Sequence, residues 1–260
     1  MKRLALLACA CALALVQSLA LAQSAPSTLG KVAQSGVLRV CSPGDYKPFS
    51  FMKAPDEFEG LDVDLMGSLA AALGAKPQFI KTTWANLLPD FAAGKCDIAV
   101  GGISISLPRQ KQVYFSDGYM VNGKTPITLC RNVAKYQSIA AIDKPTVRVI
   151  TNPGGSNETF AKTKLPHAKL IINPDNLSIF DEIIKGRADV FVTEAAEAIV
   201  QSRLHHELCP VNPAKPLQYA EMGYMLPSGD EVFKRFVDQW LHLAKASGEY
   251  DQLNSKWLGK

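Results

Sequence analysis

The sequence predicts an α/β protein of two lobes, joined where an extended chain crosses from one lobe to the other and returns. Strand-like and helix-like segments alternate through the first half of the chain, and a second alternating series begins near residue 146. Such alternation is typical of a parallel sheet with helices packed on its faces. An extended segment at 123–129 lies between the two series, and another at 218–226 follows the second series. We expect these segments to be the two crossings.

The first lobe is expected to begin with three strands and two helices. A strand at 37–41 ends in the turn 42–44, and apolar residues from Val63 to Leu73 recur at helical spacing until Gly74, which is placed to end that helix. A strand at 77–81, a helix at 84–93 and a strand at 96–101 follow.

The second lobe is expected to repeat this order. A strand at 147–150 leads into a glycine-rich loop at 152–157 and a helix. A strand at 169–172, a helix around 179–184 and a strand at 188–192 follow. The segments Gly94–Ile98 and Gly186–Val190 resemble each other, which we interpret as shared architecture rather than as a sequence repeat.

These elements divide the chain into lobe 1, at 23–123 plus 218–260, and lobe 2, at 124–217. The last helix of lobe 1 is amphipathic and carries Val232, Phe236, Trp240 and Leu243. Two lobes with two crossings form a hinged clamshell, which would bind a ligand in the cleft between them.

Composition and charge exclude several classes of function. Of 260 residues, 47% are apolar and 20% are charged, which excludes a disordered chain. The 28 basic and 24 acidic residues leave a net charge of +4, too small a surplus to indicate a nucleic-acid partner.

The first 22 residues have the layout of a secretory signal peptide. Lys2 and Arg3 precede an apolar run of 13 residues, Leu4–Val16, and Ala20–Ala22 provides a cleavage site of small residues. The run is shorter than the roughly 20 residues that a membrane-spanning helix needs. Cleavage after Ala22 would leave an exported chain of 238 residues with a net charge of +2 and no membrane partner.

Four cysteines remain after that cleavage, and an oxidising compartment would permit disulfides between them. Cys130 and Cys209 are the preferred pair because both flank the same stretch of lobe 2. Cys41 ends one strand and Cys96 begins another; if these strands are parallel, the sulfur atoms lie at opposite ends, so we expect buried free thiols. No Cys/His spacing is typical of a zinc site, and we expect no metal.

Motifs along nearly the whole mature chain resemble the periplasmic amino-acid-binding proteins, the solute-binding proteins of family 3. They lie at 36–40, 46–49, 60–64, 102–109 and 115–119. Five longer strings resemble a group within that family, the periplasmic cyclohexadienyl dehydratases. They lie at 44–50, 123–130, 152–158, 201–205 and 237–242. The resemblance implies the two-lobed type II binding-protein fold, a periplasmic location and a carbon–oxygen lyase that converts prephenate to phenylpyruvate and arogenate to phenylalanine.

The structure of prephenate determines what such an enzyme must supply. The substrate carries two carboxylates and a ring hydroxyl, and the loss of carbon dioxide and hydroxide creates a benzene ring. The enzyme has to provide a proton for the departing hydroxyl and a pocket that holds the carboxylates. No redox cofactor or metal is required, so we expect none.

The resemblance assigns Arg109 to a substrate carboxylate, which its planar guanidinium can bind through two parallel hydrogen bonds. The preceding segment 106–108 is a helix start that would add backbone N–H groups. Ser104, in the preceding turn, would contribute a hydroxyl. Without the resemblance, these residues read as a solvated helix arginine and a turn-capping serine.

Trp84, Tyr46 and Phe49 are assigned to the apolar walls around the substrate ring, with Trp84 in the ring-stacking position. Lys124, in the first crossing, would neutralise a second carboxylate. The alternatives are core aromatic residues and an exposed hinge lysine.

Ser156 and Asn157, at the start of the helix after the glycine-rich loop, are assigned to the substrate because a helix N-terminus favours an anion. The alternative is a turn with an asparagine cap.

Glu197 matches the proton donor of the dehydratases. Glu194 and Glu197 stand three residues apart on the helix predicted after strand 188–192, with Glu194 in its first turn and Glu197 one turn deeper. If Glu197 faces a closed apolar cleft, burial would raise its pKa and keep it protonated.

Thr193 and Glu194 are assigned to substrate binding. Related proteins usually have aspartate at position 194. The extra methylene here either shifts the preference from arogenate towards prephenate or fills the pocket differently, and the sequence does not decide between the two.

A second function stays open at this stage. A non-catalytic amino-acid-binding protein of an ABC transporter would keep Arg109, Trp84 and the fold but would need no proton donor. The sequence does not decide the oligomeric state.

Overall fold

The computed structural model describes residues 27–259 and consists of two open sheets covered by helices, with a small third sheet beside the first. The predicted signal peptide at 1–22 and Lys260 lie outside these residues. None of the helices within 27–259 is long and apolar enough to cross a membrane.

The first sheet has the strand order β5-β1-β6-β14-β7. Its strands are β1 (Val37–Ser42), β5 (Lys76–Lys81), β6 (Ile98–Ala99), β7 (Tyr114–Phe115) and β14 (Met225–Leu226). The helices of this part are α1 (Thr28–Ser35), α2 (Leu61–Ala72), α3 (Leu87–Ala92), α4 (Leu107–Gln110), α9 (Glu231–Ala246) and α10 (Glu249–Leu258). Strand β1 is parallel to both β5 and β6, as the alternation of strands and helices predicts.

The second sheet has the order β10-β9-β11-β8-β12, with β13 also paired to β8. Its strands are β8 (Met120–Leu129), β9 (Arg148–Thr151), β10 (Lys169–Ile172), β11 (Val190–Glu194), β12 (Leu208–Pro210) and β13 (Gln218–Met222). Its helices are α5 (Ile139–Ile142), α6 (Ser156–Lys164), α7 (Ile179–Ile184) and α8 (Ala195–Leu204), with 3₁₀ turns at Cys130–Lys135 and Asn176–Ser178.

The chain passes between the two large sheets twice. It leaves the first sheet after β7, enters the second at β8, and returns between β13 and β14. The two predicted extended crossings are therefore largely the antiparallel strand pair β8 and β13. The division into lobes at residues 123 and 218 stays a prediction.

A third sheet of strands β2 (Asp45–Tyr46), β3 (Ser50–Ala54) and β4 (Glu57–Glu59) was not predicted. Strands β2 and β4 have only two and three residues, and the five residues of β3 do not alternate regularly between apolar and polar. The sheet positions Tyr46, whose ring stacks on Phe49 with centroids 5.5 Å apart.

The final long helix is correctly predicted as amphipathic, but its predicted apolar face is only partly right: Trp240 is buried and Phe236 is half-buried against the core, whereas the other two residues are exposed. Val232 and Leu243 are each 57% exposed. The buried face is turned by one residue and consists of Phe233, Val237, Trp240, Leu241 and Ala244. This set has the spacing of one helix face, and a further helix, α10, follows it.

Both cysteine pairs form disulfides. Cys130 is joined to Cys209, the preferred pair. The expectation of free thiols at Cys41 and Cys96 is wrong, because these residues are also joined, with Cα atoms 5.6 Å apart. Strand β6 begins at Ile98, two residues later than predicted, so Cys96 lies in the chain that leads into the strand and bends towards Cys41.

The similar segments at 94–98 and 186–190 form the same ion pair in each half of the molecule. Arg39 donates through Nε and Nη2 to Asp97 at 3.1 and 2.6 Å, and Arg148 donates to Asp189 at the same two distances. Each arginine also bonds the carbonyl of the glycine that ends the preceding helix. The resemblance therefore reflects one structural device used twice.

Replacing either arginine, as Arg39→Ala or Arg148→Ala, is expected to lower the free energy of unfolding by about 1 kcal/mol, because the buried Asp97 or the half-buried Asp189 loses two charge-assisted hydrogen bonds. Urea unfolding of the purified chain measures the change. Arg187→Ala, which removes the exposed pair with Glu182, is the control and should cost less than about 0.5 kcal/mol. Equal losses in all three variants would contradict the structural role of the repeated pair.

Candidate active site

The candidate site lies where β8, β11 and the N-terminus of α6 approach the loop that follows β6. Lys124 of β8 and Glu194 of β11 are directly opposite each other in the antiparallel pair, so their side chains lie on the same face of the sheet. Ser104, from the first sheet's side, reaches this face and donates to Glu194 Oε1 at 2.9 Å. The site therefore combines residues from both sides of the two crossings.

The buried ammonium of Lys124 is the centre of the polar network. Its Nζ donates to Ser156 Oγ at 2.9 Å, to Asn157 Oδ1 at 2.5 Å and to Glu194 Oε1 at 2.7 Å. The side chains of Lys124 and Glu194 are each only 2% exposed. An ammonium has three protons, and here each has an acceptor, which compensates for the loss of water around a buried charge.

The predicted position of Glu194 in the first turn of a helix is wrong. Strand β11 runs two residues further than expected, so Glu194 is its last residue and α8 begins only at Ala195. Glu194 consequently points its carboxylate at Lys124 and makes no side-chain cap for α8. Its second oxygen, Oε2, is buried and has no hydrogen-bond partner within residues 27–259.

Glu197 lies in the first turn of α8, not one turn deeper, and is 1% exposed. Its Oε2 accepts a hydrogen bond of 2.5 Å from Thr193 Oγ1. Burial raises the pKa of Glu197 well above its usual range; the Thr193 hydrogen bond and the charge of Lys124 lower it, while Asp45 and Glu194 raise it further. The carboxyl therefore keeps its proton at a pH where an exposed glutamate has lost it.

The aromatic residues form one wall of a small cavity. The rings of Tyr46 and Trp84 meet edge to face with centroids 5.4 Å apart, and Trp84 Nε1 donates to Asp45 Oδ1 at 2.9 Å. Burial raises the pKa of Asp45 to about 6. Phe49 is fully buried behind Tyr46, so the structure places it in the core rather than on the cavity wall.

The cavity has a volume of about 10 Å³, room for about one water molecule. Its lining comprises Tyr46, Trp84, Gly102, Asn152, Gly155, Ser156, Asn157 and Asn176. Asn152 and Asn176 were not assigned to the site from the sequence, and the buried Oδ1 of each has no hydrogen-bond partner in the described chain. Asn152 begins the glycine-rich loop that the sequence indicates, whereas nothing in the sequence distinguishes Asn176.

A larger cavity of about 350 Å³ adjoins the Lys124 network and is lined by Arg109. Arg109 is half-buried and donates from Nη1 to the carbonyl of Ser104 at 2.8 Å. Burial lowers its pKa, and the charge of Glu194 opposes that shift. Helix α4 has only four residues, so the expected contribution of its backbone N–H groups to a carboxylate is not supported.

The loop before α6 packs against the turn that carries Trp84. Gly154 has φ +85°, and a Cβ atom at this position would lie 2.4 Å from Ala85 Cα. Asn176 Nδ2 donates to the carbonyl of Asp45 at 3.0 Å across the same boundary. These contacts hold the two sides of the cleft together.

Within 27–259, no group of three or more His, Cys, Asp or Glu side chains is placed to hold a metal ion.

The raised pKa of Glu197 predicts how the stability of the protein depends on pH. Above the ordinary glutamate pKa the unfolded chain has lost this proton while the folded chain retains it, so folding takes up a proton and stability falls as pH rises. Glu197→Gln removes this dependence. Its stability relative to the wild type is expected to increase by about 1.4 kcal/mol per pH unit from about pH 5 up to the raised pKa.

Urea unfolding of both proteins at pH 5, 6 and 7 measures this difference. Glu207→Gln, at an exposed glutamate, is the control and should show a constant difference from the wild type. A constant difference for Glu197→Gln as well would contradict the raised pKa.

Comparisons with known proteins agree on one family. Residues 38–260 match the sequence profile of the bacterial extracellular solute-binding proteins, family 3. The chain is 51% identical over 246 residues to the cyclohexadienyl dehydratase of Pseudomonas aeruginosa, covering 95% of this chain and 91% of that protein. It is 26% identical to a probable histidine-binding protein of Neisseria gonorrhoeae, covering 86% of this chain and 84% of that one.

Two solved structures of reconstructed ancestors extend these matches. An ancestral amino acid-binding protein, described as a precursor of cyclohexadienyl dehydratase, has a TM-score of 0.83 and 36% identity, covering 89% of this chain and all of that one. An ancestral cyclohexadienyl dehydratase has a TM-score of 0.58 and 43% identity, covering 92% and 99%. The chain therefore belongs to the bacterial extracellular solute-binding proteins of family 3 and has their two-lobed fold.

Proposed function

We propose that this protein is a cyclohexadienyl dehydratase, a carbon–oxygen lyase that converts prephenate to phenylpyruvate and arogenate to phenylalanine. The observation that carries the proposal is the fully buried carboxyl of Glu197, whose pKa burial raises well above its usual range. A protein that only binds an amino acid needs no proton donor. The 51% identity to a dehydratase over 95% of the chain supports the same conclusion.

In the proposed reaction, Glu197 donates its proton to the ring hydroxyl of prephenate. The carbon–oxygen bond breaks and water leaves, while the bond to the ring carboxylate breaks and carbon dioxide leaves. The electron pair of that carbon–carbon bond enters the ring, which becomes aromatic. Glu197 remains as a carboxylate and takes one proton from solvent before the next turnover.

Arg109 and Lys124 are the proposed partners of the two substrate carboxylates, with Ser104, Ser156 and Asn157 supplying further hydrogen bonds. All three protons of Lys124 already have acceptors in the protein, so a substrate carboxylate has to replace one of them. Glu194 lies next to that position and would pair with the ammonium of arogenate. Tyr46 and Trp84 would hold the ring.

A substrate that is to reach Tyr46 and Trp84 requires the cleft to widen, because the 350 Å³ cavity at Arg109 is not lined by these rings. Ligand pockets usually measure about 300–1,000 Å³, whereas the cavity beside Trp84 measures about 10 Å³. We propose that lobe 1, at 23–123 plus 218–260, and lobe 2, at 124–217, separate around the two crossings. The more identical ancestral dehydratase has the lower TM-score, 0.58 against 0.83, which is the direction expected if members of this family differ in how far the cleft is open. Closure would then exclude water from the acid and the ring.

We also propose that the protein works in the periplasm after cleavage of residues 1–22. The extracellular family and two disulfides between 27 and 259 support an oxidising compartment.

Replacing Glu197 by glutamine is expected to lower kcat for prephenate by about 10²-fold or more, because the amide has no proton to donate. Phenylpyruvate formation measures kcat, and fluorescence titration measures substrate binding, which should persist. Near-full activity of this variant would contradict the role of Glu197. An absence of turnover in the wild type, with stabilisation by an amino acid in a thermal-shift screen, would instead indicate a transport protein.

Shortening Glu194 to aspartate is expected to raise the ratio of kcat/KM for arogenate to kcat/KM for prephenate by about tenfold. The carboxylate would move back by one methylene, which leaves more space beside it for the substrate ammonium. Kinetics with each substrate measure the ratio, and Glu207→Asp is the control. An unchanged ratio would show that position 194 does not set the preference.

A further inference from the structure

The hydroxyl of Thr193 occupies a central position that binding of a substrate does not explain. Thr193 is fully buried. Its Oγ1 lies 2.5 Å from Glu197 Oε2, 3.1 Å from Asn157 Nδ2 and 3.5 Å from the hydroxyl of Tyr46. Thr193 does not line either cavity of the cleft.

The charge of Lys124 determines the direction of the two hydrogen bonds that Asn157 makes in this group. An ammonium can only donate, so the atom of Asn157 that lies 2.5 Å from it must be the amide oxygen. The amide nitrogen of Asn157 then faces Thr193 and donates to its hydroxyl oxygen. Because a carboxylate can only accept, the proton of Thr193 goes to Glu197 Oε2 whenever Glu197 is ionised.

The Thr193 hydroxyl is therefore in place for the state that follows proton transfer. Its Oγ1 lies 2.5 Å from Glu197 Oε2, and Asn157 Nδ2 holds it from the other side at 3.1 Å. Glu197 is 1% exposed, so water cannot take over this role for the ionised carboxylate.

We propose that Thr193 is a positioning residue for proton transfer, which holds the carboxyl group of Glu197 in place and stabilises the carboxylate that the transfer leaves behind. This inference rests on the proposed function. When Glu197 gives its proton to the substrate hydroxyl and the carbon–oxygen bond breaks, the negative charge remains on Glu197. The Thr193 hydrogen bond strengthens at that moment because its acceptor becomes charged.

The charged and titratable groups around Glu197 are the same in the variants that test this role. Asp45 and Tyr46 face it from β2, Lys124 from β8 and Glu194 from β11. A change in the titration of Glu197 on replacing Thr193 can therefore be assigned to the lost hydroxyl.

The test compares Thr193→Val with Thr193→Ser. Valine keeps the shape of the side chain but cannot donate to the ionised carboxylate. We expect kcat for prephenate to fall about tenfold or more and the basic limb of the kcat/KM profile to move up by about one pH unit. Serine, which keeps the hydroxyl, should restore both quantities.

The matched control is Thr125→Val. Thr125 is also fully buried and pairs with Thr193 in the neighbouring strand, but its hydroxyl donates to the carbonyl of Gly123. It should leave the pH profile in place. If Thr193→Val is folded and has the wild-type kcat and basic limb, or if serine is as damaging as valine, the positioning role is wrong.

A direct titration separates this inference from the proposed function. The pKa of Glu197 can be followed by ¹³C NMR of glutamate-labelled protein, with Glu197→Gln identifying the signal. We expect Thr193→Val to raise that pKa and Thr193→Ser to leave it near the wild-type value, whatever the protein's activity. Failure of the proposed function would appear as a wild type without prephenate turnover. Failure of this inference would appear as an active wild type with an unchanged Glu197 pKa in Thr193→Val.

Discussion

The buried ammonium of Lys124 is the interaction on which the geometry of the cleft depends. It connects β8 to β11 through Glu194 and to the start of α6 through Ser156 and Asn157. An isolated buried ammonium is very costly, so these elements have to keep their acceptors in place. Ser104 joins the same network from the other side of the crossings by donating to Glu194. One charge thus organises the residues that would receive a substrate.

Two buried carboxyl groups that stand three residues apart have different hydrogen-bond partners. Glu194 meets the ammonium of Lys124 at 2.7 Å, whereas Glu197 accepts its hydrogen bond from the neutral hydroxyl of Thr193. With no cation bonded to it among residues 27–259, Glu197 has its pKa raised by burial. The site therefore holds a fixed positive charge and a neutral acid side by side, the combination that acid catalysis on an anionic substrate requires.

Much of the fold could be predicted because long apolar patterns are local. The alternation of strands and helices predicts the parallel part of each large sheet, and the extended segments predict the strands that join them. The antiparallel pairs that β8 and β14 make with their neighbours in the two sheets were not predicted. Errors also occur where a pattern is short or irregular or where a boundary decides the outcome. The strands of the third sheet show no regular alternation, and a shift of two residues at the start of β6 changes Cys41 and Cys96 from expected thiols to a disulfide.

The sequence by itself determined the fold class, the family resemblance and the chemical types at the site, including Arg109, Lys124 and Glu197. These follow from residue type and from the order of residues along the chain. Only the tertiary structure decided which groups meet: that Glu194 ends a strand opposite Lys124, that Phe49 lies behind Tyr46, and that Thr193 bonds Glu197. The pKa of a carboxyl depends on its burial and on the charges near it, and neither is set until distant segments pack together.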